Sequence, residues 1–210
     1  ALPIWLDFVL RPLWSLAHVT SDPFTLANVA HRVQAGDLNT LQGYIGQQFD
    51  RSVTWDDARQ MVEQWNGPFA VKGILTVDDA KRAVEIGANC LILSNHGGRN
   101  LEGAAAPFEV LPEVVDGVGA KVPVLLDSGF RRGTDVVKAL ALGAEGVLMG
   151  RPAAFAVAAG GEAGVSHLVG LTRDEIDRTL GYLGCTAIDQ LGRDHVLVDR
   201  AMPGRNEPGL

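Results

Sequence analysis

Four short apolar runs limit what this chain can fold into: "GPFAVKGI", "NCLILSN", "VPVLLDSG" and "AEGVLMG". Each closes on a polar or glycine-rich tip. The runs are continuous rather than alternating, which suits strands buried on both faces of a parallel sheet. Helical patterns separate them. "WDDARQMVEQW" comes before the first, with apolar residues at helical spacing. "VDDAKRAVEIG" follows it, with Thr76 as an N-cap, acidic residues early and Gly87 at the end. "PFEVLPEVVDGVG", "GTDVVKALALG" and "RPAAFAVAAGG" complete the series. Four strand–helix units, spaced by roughly 20 to 30 residues, predict an α/β chain with right-handed crossovers.

In such a chain all the strand tips lie on one side, where a (β/α)8 barrel assembles its active site. The first tip carries Lys72 and Gly73, the second Ser94, Asn95 and His96, the third Asp127, Ser128 and Gly129, and the fourth Gly150 and Arg151. The last two tips each place glycine and arginine, Arg131 and Arg151, beside a helix start. Exposed backbone N–H groups, a positive helix end and two guanidiniums make a phosphate cradle. "GVG" at 117–119 is not a dinucleotide fingerprint: it precedes its strand and lacks the third glycine.

The second tip continues as "SNHGGRNLEG". His96 exchanges a proton near neutral pH, and Arg99 holds a carboxylate with two parallel hydrogen bonds. The glycines let the backbone turn sharply and approach a flat ligand. This combination suits a small carboxylic acid whose neighbouring carbon loses hydrogen. Lys72 is placed to set positive charge beside a cofactor that becomes anionic on reduction. A lone histidine at a strand tip is more often structural, and it is the agreement with Arg99 that favours catalysis.

A formal charge of −7 argues against nucleic acid as a partner. Cys90 and Cys185 form no disulfide framework and suit a reducing cytosol. His18, His31, His167 and His195 have no ligand spacing, so no metal site is expected. No run reaches the roughly 18 continuous apolar residues of a spanning helix. The first residue is Ala, with no basic region leading into an apolar stretch, so no signal peptide is read.

"VKGI", "SNHGGRNLEG", "DSGFRRGTDVVKALALGAEGVLMGRP" and "GEAGV" resemble the C-terminal half of the FMN-dependent L-2-hydroxy acid oxidases and dehydrogenases. "DSGFRRGTDVVKALALGAE" and "DEIDRTLGYLGC" look most like the (S)-mandelate dehydrogenase and L-lactate dehydrogenase branch. The resemblance implies oxidation of an L-2-hydroxy acid, mandelate- or lactate-like, to the 2-oxo acid. FMN would pass the electrons to oxygen, a quinone or a cytochrome. His96 would be the base and Arg99 the carboxylate ligand, both in contact with substrate. Lys72 would meet the flavin N1/C2-carbonyl edge, and Ser94 would hydrogen-bond the ring, with His96 also against the cofactor. Asp127 would lie near the ribityl chain, and Ser128, Gly129, Arg131, Gly150 and Arg151 around the phosphate. Ser128 departs from many members, which have glycine there. Another phosphate-binding barrel, such as a nucleotide dehydrogenase, would keep the Gly-Arg tips but leaves "SNHGGR" unexplained.

The family barrel has eight strands and roughly twice this length. The resemblance therefore makes this chain strands five to eight of a (β/α)8 TIM barrel. The first four strands are expected from the N-terminal half of the same protein as a separate chain, in a homo-oligomer that the family makes a tetramer. The alternative is an inactive half-barrel that binds flavin or phosphate without turnover. Residues 1–54 read as the excursion after barrel strand four, 55–185 as the half-barrel and 186–210 as a Pro/Gly-rich, extended tail. "ALPIWLDFVLRPLWSLAHV" has two tryptophans and few charges. This makes residues 1–40 a subunit contact or a surface for the membrane. The protein is expected in the cytoplasm, with a peripheral location on the inner face of the cell membrane as the membrane-binding variant.

Overall fold

The computed structural model describes residues 4–21, 43–44 and 46–197. The chain divides into two compact units, residues 1–53 and 54–210. In the first, α1 (Ile4–Leu10) and α2 (Pro12–Thr20) are separated at Arg11, where Pro12 opens the second helix. Proline is favoured at that position because the first helical N–H has no partner in any case. Phe8 meets Trp14 edge-on, and Trp14 stacks on His18 with ring centroids 5.1 Å apart. Val9, Leu10, Leu13, Leu16 and Val19 are all exposed. The rest of the predicted membrane or subunit segment, residues 1–3 and 22–40, lies outside the described residues.

The second unit opens with α3 (Trp55–Trp65). The Thr54 N–H donates to Asp57 Oδ2 at 2.7 Å, and the Asp57 N–H reaches back to Thr54 Oγ1 at 3.4 Å. This reciprocal pair satisfies two N–H groups that an open helix end would leave unpaired. Then come β1 (Ala70–Ile74), α4 (Val77–Glu85), β2 (Cys90–Leu93), α5 (Pro107–Val118), β3 (Val124–Asp127), α6 (Gly133–Ala141), β4 (Gly146–Leu148) and α7 (Arg151–Leu183). Thr76 caps α4, as the sequence predicts, by accepting from the Asp79 N–H. The strands form one parallel sheet in the order β1-β2-β3-β4. Strand order equal to chain order is what consecutive βαβ units produce when every crossover has one hand.

Burial alternates along β2 and β3, which the apolar runs did not foretell. Leu91, Leu93, Val124 and Leu126 are buried, with Leu111 and Val114 of α5 and Ala80 and Ala83 of α4 in the same core. Ile92 and Leu125, which point the other way, are only half-buried. Only one face of the sheet is covered, by helices, and the expectation of two buried faces is corrected. The apolar residues on the open face fit a closed barrel interior, which four strands cannot enclose. Lys72 and Asp127 lie on that face, since Lys72 is level with Ile92 and Asp127 is two residues beyond Leu125.

The last helix is also longer than "RPAAFAVAAGG" suggested. It breaks at Gly160 (φ −159°) and Gly161 (φ 55°), then continues to Leu183. Its length and composition are those of a helix that could span a membrane. The break in its hydrogen-bond ladder and its packing on α6 instead suit a helix of the α/β layer. Beyond it, two short turns, Ile188–Gln190 and Arg193–His195, follow. Arg193 forks onto Asp116 of α5 at 2.7 and 3.0 Å. Residues 198–210, most of the predicted tail, lie outside the described residues.

Candidate active site

The strand ends surround a cleft of about 800 Å³. Of the ten residues singled out in the sequence, nine line it: Lys72, His96, Arg99, Asp127, Ser128, Gly129, Arg131, Gly150 and Arg151. The tenth, Ser94, is buried behind the wall. Its hydroxyl donates to Asp127 Oδ2 at 2.6 Å and accepts the His96 N–H at 3.0 Å. Phe130, Leu148, Pro152, Ala154 and Phe155 supply an apolar lining that sequence reading did not pick out.

The turn after β2 is built from left-handed backbone. His96, Gly97 and Gly98 have φ of 56°, 70° and 72°. Glycine adopts this freely, whereas for an L-residue such as His96 it costs about 1 kcal/mol. Two hydrogen bonds hold the turn: Ser94 takes the His96 N–H, and Asn95 Oδ1 takes the Gly98 N–H at 3.1 Å. Glycine at 97 suits the left-handed backbone, and its lack of a Cβ leaves room for Arg151 Nη2, which a Cβ would stand 2.5 Å from. That same nitrogen donates to the Gly97 carbonyl, joining the fourth tip to the second.

The turn brings the imidazole and Arg99 together, with His96 Nε2 and Arg99 Nη1 3.2 Å apart. A guanidinium has donors only, so Nε2 must be the acceptor. An imidazole nitrogen and a planar guanidinium thus meet at one spot on the cleft wall.

On the open sheet face Lys72 Nζ lies 2.9 Å from Asp127 Oδ2. Burial pushes the Asp127 carboxyl up. Hydrogen bonds from Ser94 and Lys72, the Lys72 charge and the Ser128 N–H outweigh this and hold it below its ordinary value. The carboxylate is ionised at neutral pH and fixes the ammonium at the rim of the cleft.

The third tip differs from its sequence reading. The Arg131 and Arg132 N–H groups both donate to Asp135 at 3.0 Å. Glu175 of α7 takes the Gly133 N–H at 2.7 Å and Arg132 Nη1 at 3.2 Å. Carboxylates thus take the backbone N–H groups of Arg131, Arg132 and Gly133. The Arg131 and Arg151 side chains line the cleft, and no side chain caps the start of α7. Asp135 could have been found, because an acid at the third helical position of "RRGTD" is a capping signal. Glu175 lies 42 residues from Gly133, and no local pattern announces it.

Residues 3–198 match the family model for FMN-dependent dehydrogenases. L-lactate oxidase of Nostoc sp. is 44% identical over 185 residues, covering 88% of this chain and 49% of its own length. (S)-mandelate dehydrogenase of Pseudomonas putida is 44% identical over 191 residues, covering 91% and 48%. A crystal structure described as monotopic membrane protein (S)-mandelate dehydrogenase superposes with a TM-score of 0.85 at 43% identity. It matches 94% of this chain and 52% of that one. Mandelate oxidase with benzoyl-formic acid gives 0.64 at 43% identity, over 67% and 42%. The chain spans about half the length of the relatives it matches. With strands, tips and cleft residues arranged as described and the family model matched along nearly all of its length, the chain belongs to the FMN-dependent dehydrogenase family.

Proposed function

We propose that this chain is strands five to eight of a (β/α)8 barrel whose complete form oxidises an L-2-hydroxy acid, mandelate- or lactate-like, to the 2-oxo acid. The observation that carries the reading is the convergence of His96 Nε2 and Arg99 Nη1, 3.2 Å apart, on a cleft that Lys72, Arg131 and Arg151 also line. The cleft residues fit FMN. Arg131 and Arg151 with the uncapped start of α7 suit its phosphate. Lys72 suits the edge of its ring, Asp127 the ribityl chain, and Ser128, Gly129 and Gly150 the phosphate side. Bound there, FMN supplies the acceptor for the electron pair.

The protein residues divide the remaining work. Arg99 turns from His96 to the substrate carboxylate and holds it with two parallel hydrogen bonds. That movement frees His96 Nε2, which takes a proton from the substrate. Lys72 sets positive charge beside the site where negative charge collects. Ser94 holds both Asp127 and the His96 backbone, and through them orients the lysine and the base. Electrons leave for oxygen, a quinone or a cytochrome.

The open sheet face supports a partner made of the first four barrel strands, the N-terminal half of the same protein, within a homo-oligomer. The exposed apolar residues of α1 and α2 support a membrane-surface role for residues 1–40, on the cytoplasmic side. A relative described as a monotopic membrane protein adds to that reading. The test is anaerobic mixing of the FMN-loaded protein with (S)-mandelate or L-lactate. Bleaching of the flavin absorption, with the 2-oxo acid formed in equal amount, is expected. An unbleached flavin with every L-2-hydroxy acid tried would overturn the activity. Flotation with anionic vesicles, lost when residues 1–21 are removed, tests the membrane surface.

A further inference from the structure

Ser128 stands at the end of β3 with φ 83°, backbone that a glycine adopts freely and an L-residue does not. A serine in that place needs a compensating contact, and its hydroxyl makes one. Ser128 Oγ accepts the Gly97 N–H at 3.0 Å, across 31 residues of sequence. It also lies 3.4 Å from Ser94 Oγ. The direction of that second contact follows from the other partners of Ser94. The single Ser94 hydroxyl proton goes to Asp127 at 2.6 Å, so Ser128 must be the donor between the two serines. One directed chain results: Gly97 N–H to Ser128, Ser128 to Ser94, Ser94 to the carboxylate that Lys72 pairs with.

We infer that Ser128 is a positioning residue for His96. Its hydroxyl clamps the amide immediately after the histidine, while Ser94 clamps the histidine's own amide. Both clamps are needed because His96 itself has φ 56° and would relax if released. The inference rests on the proposed role of His96 as the base.

The experiment compares Ser128→Gly and Ser128→Ala with the parent as FMN-loaded proteins. Glycine removes the hydroxyl and relieves the backbone, whereas alanine removes the hydroxyl and keeps the strain. Both should slow flavin bleaching at saturating substrate by about 10- to 100-fold per bound flavin, with KM changed less than threefold, since small misplacements of a reacting group cost that much. The thermal midpoint should be unchanged or higher for Ser128→Gly. Hydrogen exchange of the peptide containing Gly97 should quicken by about tenfold in both variants, as expected for an amide that loses its acceptor. A Ser128→Gly protein that bleaches within twofold of the parent, or with unchanged Gly97 exchange, overturns the inference. Failure of the underlying reading shows separately, as a His96→Asn protein that still bleaches at the parent rate.

Discussion

The turns after β2 and β3 look alike in sequence, each a short polar stretch with glycine, and the structure uses them in opposite ways. After β2, His96 and Arg99 point their functional atoms at each other and at the cleft. After β3, the backbone donors of Arg131, Arg132 and Gly133 are turned inward onto Asp135 and Glu175. One turn is held by hydroxyl and amide side chains, which leave His96 and Arg99 to contact each other at the cleft. The other is locked by carboxylates, which take up the backbone N–H groups of Arg131, Arg132 and Gly133.

Substitutions in the two turns should therefore fail differently. The largest effect is expected from His96→Asn: flavin bleaching slows by about 10²–10⁴-fold while FMN stays bound, because the anion-binding groups lie on the other turns. Stopped-flow absorbance and flavin content measure the two halves of that statement. Arg99→Met comes next, with substrate bound about 100-fold more weakly and bleaching slowed. Arg99→Lys should recover only part, because an ammonium lacks the planar fork. Titration with a 2-oxo acid product reads the binding loss directly.

On the other turn the penalty is structural. A Cβ at Gly133 would sit 2.6 Å from the Thr172 carbonyl and 2.7 Å from Ile176 N, both backbone atoms that cannot swing away. Gly133→Ala should destabilise by about 1–3 kcal/mol and loosen FMN more than riboflavin, which lacks the phosphate. Thermal unfolding and fluorescence titration with the two flavins test it. Equal loss of both flavins would break the contrast between the turns.

The smallest effect concerns pH. Asp127 titrates below its ordinary value when folded, so its contribution is present above the unfolded carboxylate range and is lost as pH falls through the lowered folded value. Stability should stay level from neutral pH down to about pH 5 and decline below about pH 4 on this account. Asp127→Asn should flatten the decline, as followed by urea unfolding across that range.

The strands and their tips could be read from sequence because both are local signals: an apolar run, then a polar end. His96 with Arg99 was readable for the same reason, being three residues apart on one turn. What escaped was non-local. The Lys72–Asp127 pair, the Ser128–Gly97 bond and the Glu175–Gly133 clamp each join residues on separate strand–helix units. The one-sided burial escaped for another reason: continuous apolar runs look the same whether the second face is covered by helices or by the rest of a barrel. Gly160 and Gly161 were visible, but as a helix end rather than a break within a longer helix.

The hydrogen-bonding edges of β1 and β4 carry a direction, because every strand of the sheet runs the same way. A complement that joins those edges in parallel delivers its own strand ends to the rim that holds Lys72 and His96. Joined antiparallel, it would offer that rim the beginnings of its strands instead, and its loops would close the far side. Polarity thus acts as a filter on assembly: of the two ways to complete the sheet, only one also completes the cleft.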